Sequence, residues 1–149
     1  MRDLAYDLAT HAARIRFDHL PPSVIDVTKK FILDTLATTM AGSSGPGCQP
    51  IVDYIKECGG REESTIMVYG GKVPSSNAAF VNSIMGHALD FDDTHDEAVL
   101  HANVTVLPAA LAMAERKGGV SGKDLIAAVA GGVDLACRLG LGAVGMLTW

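Results

Sequence analysis

Apolar residues recur at every third or fourth position through most of the 149-residue sequence, and this repeat constrains the fold more than any other feature. Such spacing places the apolar side chains on one face of an α-helix. Prolines or glycines separate the segments, and both residue types favour helix ends. The segments with helical spacing cover about residues 3–16, 23–41, 50–58, 76–89, 105–117 and 121–139. We therefore predict a mainly α fold, a helical bundle that forms a single domain over residues 1–149.

One short run has the composition of a β-strand. Residues 65–69 read Thr-Ile-Met-Val-Tyr and are rich in β-branched and aromatic side chains. Gly70 and Gly71 follow directly, and such a pair is typical of a tight turn. We expect one short β element near residues 65–69 within the otherwise helical fold.

Two segments predict how the helices pack. Residues 23–41 carry apolar side chains over a wide arc, which is typical of a core helix buried on more than one side. These side chains are Val24, Ile25, Val27, Phe31, Ile32, Leu36 and Met40. Residues 75–89 instead contain small side chains that would let a neighbouring helix approach closely. These are Ala78, Ala79, Ser83 and Gly86.

Composition excludes several classes of function. The net charge is −5, from 12 Lys and Arg against 17 Asp and Glu, which argues against a nucleic-acid-binding surface. The N-terminus has no apolar run of signal-peptide length. Asp124, Asp134 and Arg138 interrupt the longest apolar stretch, so we expect no membrane partner. The three cysteines form no C-x-x-C pair, which indicates free thiols and predicts a cytoplasmic protein.

The last segment of the sequence predicts association. Residues 139–149 are apolar, glycine-rich and uncharged. An exposed apolar surface of this kind usually marks a contact with other polypeptide. We expect it to pack against a second copy in a homodimer, or against further polypeptide.

Chemistry-bearing residues concentrate between positions 87 and 101. Three of the five histidines and five acidic residues lie there, whereas no Lys or Arg occurs between Lys72 and Arg116. Such a cluster needs a cation, which could be a metal ion, a lysine from elsewhere or a protonated histidine. A solvated acidic loop is the alternative. We expect His87 to be a hydrogen-bonded core histidine, and His95 and His101 to be more exposed.

One short motif in this cluster suggests a magnesium site. Residues 92–96 read Asp-Asp-Thr-His-Asp, which resembles the D-D-x-x-D magnesium-diphosphate motif of all-α isoprenoid synthases. Carboxylate oxygens are suitable ligands for magnesium. That motif belongs on a continuous helix, however, and residues 97–103 have no helical pattern. A magnesium-dependent isoprenoid-synthase-like enzyme is therefore an alternative function.

A longer set of ordered motifs resembles the MmgE/PrpD family. Residues 86–95 read GHALDFDDTH, His101 follows, and residues 106–112 read VLPAALA. Further similar motifs are FILDTLA at 31–37, AAFVN at 78–82 and CRLG at 137–140. Several motifs in the family's order are more specific than any single one. The family includes 2-methylcitrate dehydratase, cis-aconitate decarboxylase and iminodisuccinate epimerase.

The resemblance implies an active site in this segment. Asp90 matches the family's active-site aspartate and His101 its active-site histidine, so these two are the expected catalytic residues. Thr94 and His95 are the expected substrate-binding residues, and neither a metal nor a cofactor is expected. The implied function is a lyase that acts on small polycarboxylates, by an elimination like that of 2-methylcitrate dehydratase. A decarboxylase or epimerase of the same family and a non-catalytic helical interaction module are alternatives.

The resemblance also implies that the chain is incomplete. Family members are much longer, and the family's catalytic lysines lie beyond the position of Trp149. We therefore expect an N-terminal piece of a larger enzyme, with half of an active site and no activity on its own. The residues His101-Ala102-Asn103 also depart from the family's usual His-Pro-Gly step.

Overall fold

Helices dominate the computed structural model, which describes residues 3–143. The helices are α1 (Leu4–Arg14), α2 (Pro22–Gly42), α3 (Cys48–Cys58), α4 (Ser75–His87), α5 (Asn103–Lys117) and α6 (Gly122–Ala143), with a 3₁₀ turn at Phe17–His19. Two short strands, β1 (Ser64–Thr65) and β2 (Lys72–Val73), form an antiparallel pair between α3 and α4. Helix α4 packs against α2 and α5, and α5 packs against α6. The prediction of a mainly α fold is confirmed.

The β element is shorter than the sequence predicts. Residues 66–71 form the turn between β1 and β2 instead of continuing the strand. The backbone N–H of Met67 donates to the side-chain oxygen of Asn82 on α4 at 2.9 Å, so it is not available to a strand. Val68 adopts a φ of 64°, outside the extended region. The predicted short β element is therefore present, but of residues 65–69 only Thr65 lies in a strand.

Side chains at the starts of two helices explain why they begin there. Asp3 accepts a hydrogen bond from the backbone N–H of Ala5 at 3.0 Å and caps α1. At α6, Ser121 Oγ accepts from the N–H of Asp124 at 3.1 Å, and Asp124 Oδ2 accepts from the N–H of Ser121 at 3.4 Å. This reciprocal pair has the pattern of a capping box. Both helices therefore start where short polar side chains replace missing backbone partners.

Helix α2 buries threonines rather than the apolar arc that the sequence suggests. Its buried residues are Thr28, Thr35, Thr38, Thr39 and Gly42. Of the predicted apolar arc, Val27 and Met40 are 41% and 61% exposed, and its other five members are half-buried. The hydroxyls bond within the helix, as when Thr39 Oγ1 donates to the carbonyl of Thr35 at 2.7 Å. The core-helix prediction for α2 is wrong in its buried face, because short side chains allow the neighbouring helix to lie closer.

Glycines mark the contact between α2 and α4. A Cβ added at Gly42 would clash with the backbone carbonyl oxygen of Met85 on α4. At Gly86 a Cβ would lie 2.8 Å from Val104 Cγ2 on α5 and 3.2 Å from the Thr39 hydroxyl. The close approach predicted from the small residues of α4 is therefore present at Gly86.

A hydrophobic core lies beneath α3, α4 and the β-hairpin. Its buried members are Cys48, Val52, Ile55, Ile66, Val73, Ala78, Val81, Met85 and Ala112. Five of them are among the largest fully buried side chains of the described residues, namely Ile66, Met85, Val52, Val81 and Cys48. Because Met85 lies two residues before the end of α4, this packing fixes the helix end from which the candidate site begins.

Most of the 22 residues of helix α6 are half-buried, and the others are mainly exposed. Val129 is its one buried residue in the described part of the chain, and Leu139 and Leu141 face solvent. By length and composition α6 could cross a bilayer, although it contains Asp124, Asp134 and Arg138. These charged residues alone therefore do not exclude a membrane span, contrary to the expectation from the sequence. The absence of a membrane partner stays a prediction. Residues 144–149, part of the apolar segment expected to be covered, lie outside the described residues.

Asp134 links α6 to α1. His11 Nε2 lies 2.7 Å from Asp134 Oδ2, and Arg138 Nε donates to the same oxygen at 2.9 Å. The Arg138 hydrogen bond is the largest cause that lowers the pKa of Asp134, and the bond to His11 adds to it. The fold therefore favours the ionised carboxylate. Its stabilising effect is complete above the ordinary aspartate pKa and is lost as the pH falls through the lowered value.

Replacing Asp134 with asparagine should loosen α1, because α1 has no buried residue of its own. We expect amide hydrogen exchange in α1 to accelerate by up to about fivefold, since a partly exposed ion pair contributes at most about 1 kcal/mol. The difference from the wild type should shrink as the pH falls below the ordinary aspartate pKa and then through the lowered pKa of Asp134. Asp26→Asn, which removes an exposed ion pair on α2, is the matched control. Equal loosening of α1 in both variants would contradict the link.

Candidate active site

The candidate site lies where α4 ends and α5 begins. His87 is the last residue of α4, and His101 precedes α5 by two positions. The loop between them brings the two imidazole rings to a centroid distance of 4.7 Å with an angle of 68° between their planes. Two histidines that are 14 positions apart in the sequence therefore lie in edge-to-face contact.

Asp90 lies close to His101. One carboxylate oxygen of Asp90 is 3.7 Å from His101 Nε2. The Asp90 side chain is 79% exposed, whereas that of His101 is 30% exposed. Asp90 adopts a φ of 49°, in the left-handed region that aspartate tolerates better than most residues, and its N–H donates to the carbonyl of His87 at 2.9 Å. The turn that ends α4 thus directs Asp90 towards His101.

Asp92 lies between the two histidines. Its side chain is completely buried, in contrast to that of Asp90. His87 Nδ1 is hydrogen-bonded to Asp92 Oδ1 at 2.9 Å. His101 Nδ1 lies 3.1 Å from Asp92 Oδ2. His87 is therefore hydrogen-bonded, as expected, but its half-exposed side chain is not a core histidine.

These four side chains are also the residues that could hold a metal ion. One ligand atom from each of His87, Asp90, Asp92 and His101 can be chosen so that all four lie within 4.8 Å of one another. Imidazole nitrogens and carboxylate oxygens together suit a transition metal such as zinc. The expectation that the site needs no metal stays a prediction.

The remaining aspartates of the cluster stabilise the local structure. Asp93 accepts hydrogen bonds from the backbone N–H of Asn103 at 3.3 Å and from its side-chain amide at 2.9 Å, at the first turn of α5. Asp96 accepts from the Thr94 hydroxyl at 3.4 Å. Residues 92–96 therefore lie in a loop, with Asp92 buried against His87. The isoprenoid-synthase alternative is wrong, because its motif requires a continuous helix facing a cavity.

Two adjacent cavities open beside this loop. One of about 480 Å³ is lined by His87, Thr94, His95, Asp96, Val99, Leu100 and His101. The other, of about 660 Å³, is lined by residues of α2 and by Phe91, Asp92, Asp93 and Thr94. Thr94 lines both cavities, and the first contains three of the four predicted site residues. Asp90 lies beside His101 but does not line either cavity.

His95 also helps to hold the loop together. Its Nδ1 accepts the backbone N–H of Ala98 at 3.0 Å, and its own backbone pairs with Leu100 in an isolated β-bridge. The ring nevertheless lines the cavity of about 480 Å³. Its predicted contact with substrate would therefore involve Nε2, because Nδ1 already has a partner.

Lys30 is a residue that the sequence reasoning missed. It lies on α2, far from the cluster in sequence, and lines the cavity of about 660 Å³ with Thr94. Its ammonium is 2.8 Å from the Asp26 carboxylate, and this hydrogen bond is the first cause that raises the pKa of Lys30. In the sequence, its position directly before the FILDTLA motif could have indicated a role for Lys30. It lies outside the stretch between Lys72 and Arg116, in which a cation for the acidic cluster is missing.

The sequence of this chain is similar to that of a known protein family and of several characterised relatives. The MmgE/PrpD N-terminal domain matches residues 6–146. Cis-aconitate decarboxylase of Homo sapiens is 32% identical over 143 residues, which cover 93% of this chain and 30% of the relative. The corresponding protein of Aspergillus terreus is 32% identical over 133 residues, which cover 87% and 27%. That of Mus musculus is 32% identical over 131 residues, which cover 84% and 26%.

The match covers nearly all of this chain but a limited part of each relative. The chain spans less than a third of the length of these curated relatives. The matched region contains all of the candidate site, from α4 to the start of α5. The chain belongs to the MmgE/PrpD family, in its N-terminal domain.

Proposed function

We propose that this chain contributes part of the active site of a lyase that acts on small polycarboxylates. The observation that carries the proposal is the approach of Asp90 to His101 at 3.7 Å, beside a cavity lined by His101, Thr94 and His95, in a chain of this family. A carboxylate and an imidazole are suitable groups for moving protons to and from carbon. Because the chain spans only part of its relatives, the activity belongs to the complete protein.

The names of the relatives favour decarboxylation of cis-aconitate. In such a reaction the bond to one carboxylate breaks and CO₂ leaves. The released electron pair forms a new double bond, and the pair of the original double bond takes a proton at its far carbon. We assign the supply of that proton to His101, because it lines the cavity and has Asp90 next to it. The elimination from 2-methylcitrate that the sequence predicted needs the same kinds of groups, and the named relatives give it no support of their own.

Positive charge is the missing part of this site. The described part of the chain brings one basic side chain, Lys30, to the second cavity, and Lys30 is already paired with Asp26. A substrate with three carboxylates and a developing carbanion requires preorganised cationic groups. We propose that residues outside this chain, or in a second copy in a homodimer, supply them. A cytoplasmic location remains part of the proposal.

An assay of two proteins tests the function. We expect the product of the complete reading frame that contains this chain to consume cis-aconitate and release CO₂, as followed by NMR. The 149-residue chain alone should show no turnover, because the described residues that line its two cavities include one lysine, already paired with Asp26, and no arginine to hold the carboxylates. A parallel assay with 2-methylcitrate separates decarboxylase from dehydratase. A complete protein that converts neither acid would contradict the lyase proposal, and robust turnover by the chain alone would contradict the incomplete site.

A further inference from the structure

We propose that Asp92 is a positioning residue, which holds the imidazole of His101 in the tautomer with its hydrogen on Nδ1. In the neutral ring, the Nε2 atom on the side of Asp90 then carries no hydrogen. It can take up a proton from water and return that proton to the substrate carbon, as the proposed function requires. The proposal deepens the proposed function, since its consequence for catalysis rests on His101 being catalytic. The tautomer itself is independent of any activity.

The burial of Asp92 is the first argument. A carboxylate removed from water needs hydrogen-bond donors or a cation. The Asp92 side chain is fully buried, and its charged partners within ion-pair distance in the described residues are His87 and His101. His87 Nδ1 is hydrogen-bonded to Oδ1 at 2.9 Å, and an ionised carboxylate can only accept, so His87 serves as the donor to that oxygen. The second oxygen therefore requires a donor of its own.

The second argument concerns two buried polar atoms that have no hydrogen-bond partner. Asp92 Oδ2 and His101 Nδ1 are both buried, and neither has a hydrogen-bond partner of good geometry. These two atoms nevertheless face each other at 3.1 Å. A small rotation of the imidazole would align a hydrogen on Nδ1 with Oδ2 and satisfy both atoms at once. An imidazole with its hydrogen on Nε2 would leave the Nδ1 lone pair 3.1 Å from a buried carboxylate. This repulsion is stronger than that at Nε2, where the Asp90 carboxylate is 3.7 Å away and exposed to water.

The two ends of the His101 ring have different surroundings, and this is the third argument. Nδ1 faces the buried Asp92, whereas Nε2 is 3.7 Å from the exposed Asp90 carboxylate. A hydrogen bond to one ring nitrogen fixes which form of the other is available for chemistry. The same division of roles occurs wherever a buried aspartate orients a catalytic histidine. Asp92 thus acts through His101 and does not itself need to touch a substrate.

Nitrogen-15 NMR of the histidine rings in the 149-residue chain tests the tautomer directly. At about pH 8, where a histidine of ordinary pKa is neutral, we expect His101 to show a protonated Nδ1 and an unprotonated Nε2. Asp92→Asn keeps the shape but offers an N–H to His101 Nδ1, so the ring should change to the Nε2–H form. His95 is the internal control, because Ala98 N–H donates to its Nδ1 and fixes the Nε2–H form in both proteins.

Several outcomes would overturn the proposal. The wild-type protein alone would overturn it if His101 were in the Nε2–H form, or if its two tautomers were mixed as in the exposed His19. The variant Asp92→Asn would overturn it if the His101 spectrum stayed unchanged while the His95 signals were intact. Loss of the wild-type pattern after treatment with EDTA would mean that a bound cation joins the two atoms. Because none of these readouts measures turnover, an inactive enzyme would contradict the proposed function and leave the tautomer result standing.

Discussion

Replacing His101 with alanine in the complete enzyme should lower the turnover of cis-aconitate by about 100-fold or more, the usual scale for the loss of an acid–base group. His101 lies beside the cavity with Asp90 3.7 Å from its Nε2. Its removal leaves no imidazole in that position, since His87 bonds Asp92 with Nδ1 and His95 bonds the loop. Asp90→Asn, which keeps the size but removes the charge, should reduce turnover in the same direction.

Steady-state kinetics measure this effect. The loss should appear mainly in kcat, because a proton is transferred in the transition state and not in substrate binding. His19→Ala is the matched control, since His19 is an exposed histidine in the 3₁₀ turn at Phe17–His19 and lies outside the site. If His101→Ala and His19→Ala had the same turnover, His101 would have no catalytic role.

Gly42→Ala should destabilise the fold by about 3 kcal/mol or more, at the upper end of the costs of overpacking a core. The added methyl would meet the backbone carbonyl of Met85, which cannot move aside as a flexible side chain can. Helix α4 would have to shift away from α2, and α4 ends at His87 in the candidate site. We therefore expect a lower midpoint of urea denaturation and altered NMR signals of the site histidines.

Gly122→Ala is the control for the helix propensity of alanine. A Cβ at Gly122 has nothing within 4 Å, and the residue is the first of α6. Alanine is the better helix former there, so this variant should be neutral or up to about 1 kcal/mol more stable. An equally small effect of Gly42→Ala would show that α2 and α4 are not in the close contact described.

The candidate site was identified in the sequence because its residues are close together in the chain. His87, Asp90, Asp92 and His101 all lie within the loop and the two helix ends that flank it. The motif GHALDFDDTH indicated the family, and the match to residues 6–146 bears this out. The separate roles of the three neighbouring acids were not predictable from the sequence. Asp90 is exposed, Asp92 is buried and Asp93 binds Asn103, and these differences arise from contacts between different segments.

Lys30 and the threonine face of α2 show which features could not be predicted from the sequence. A charged residue and several threonines on a helix, taken alone, favour exposure to solvent. Only the packing of α2 against α4 determines that Thr35 and Thr39 are buried and that Lys30 lines the same cavity as Thr94. The turn at residues 66–71 also depends on a contact between elements, because the backbone N–H of Met67 donates to Asn82 on α4.

The amino-acid sequence was sufficient to predict the helices, their approximate ends, the family and the segment that contains the candidate site. These properties follow from local rules, because apolar spacing, caps, glycines and short motifs act between neighbouring positions. Contacts between distant segments determine which face of α2 is buried, where the strand ends and which oxygen of Asp92 faces which histidine. Those features depend on distances between side chains that the chain brings together only when its helices pack, and no local pattern encodes them.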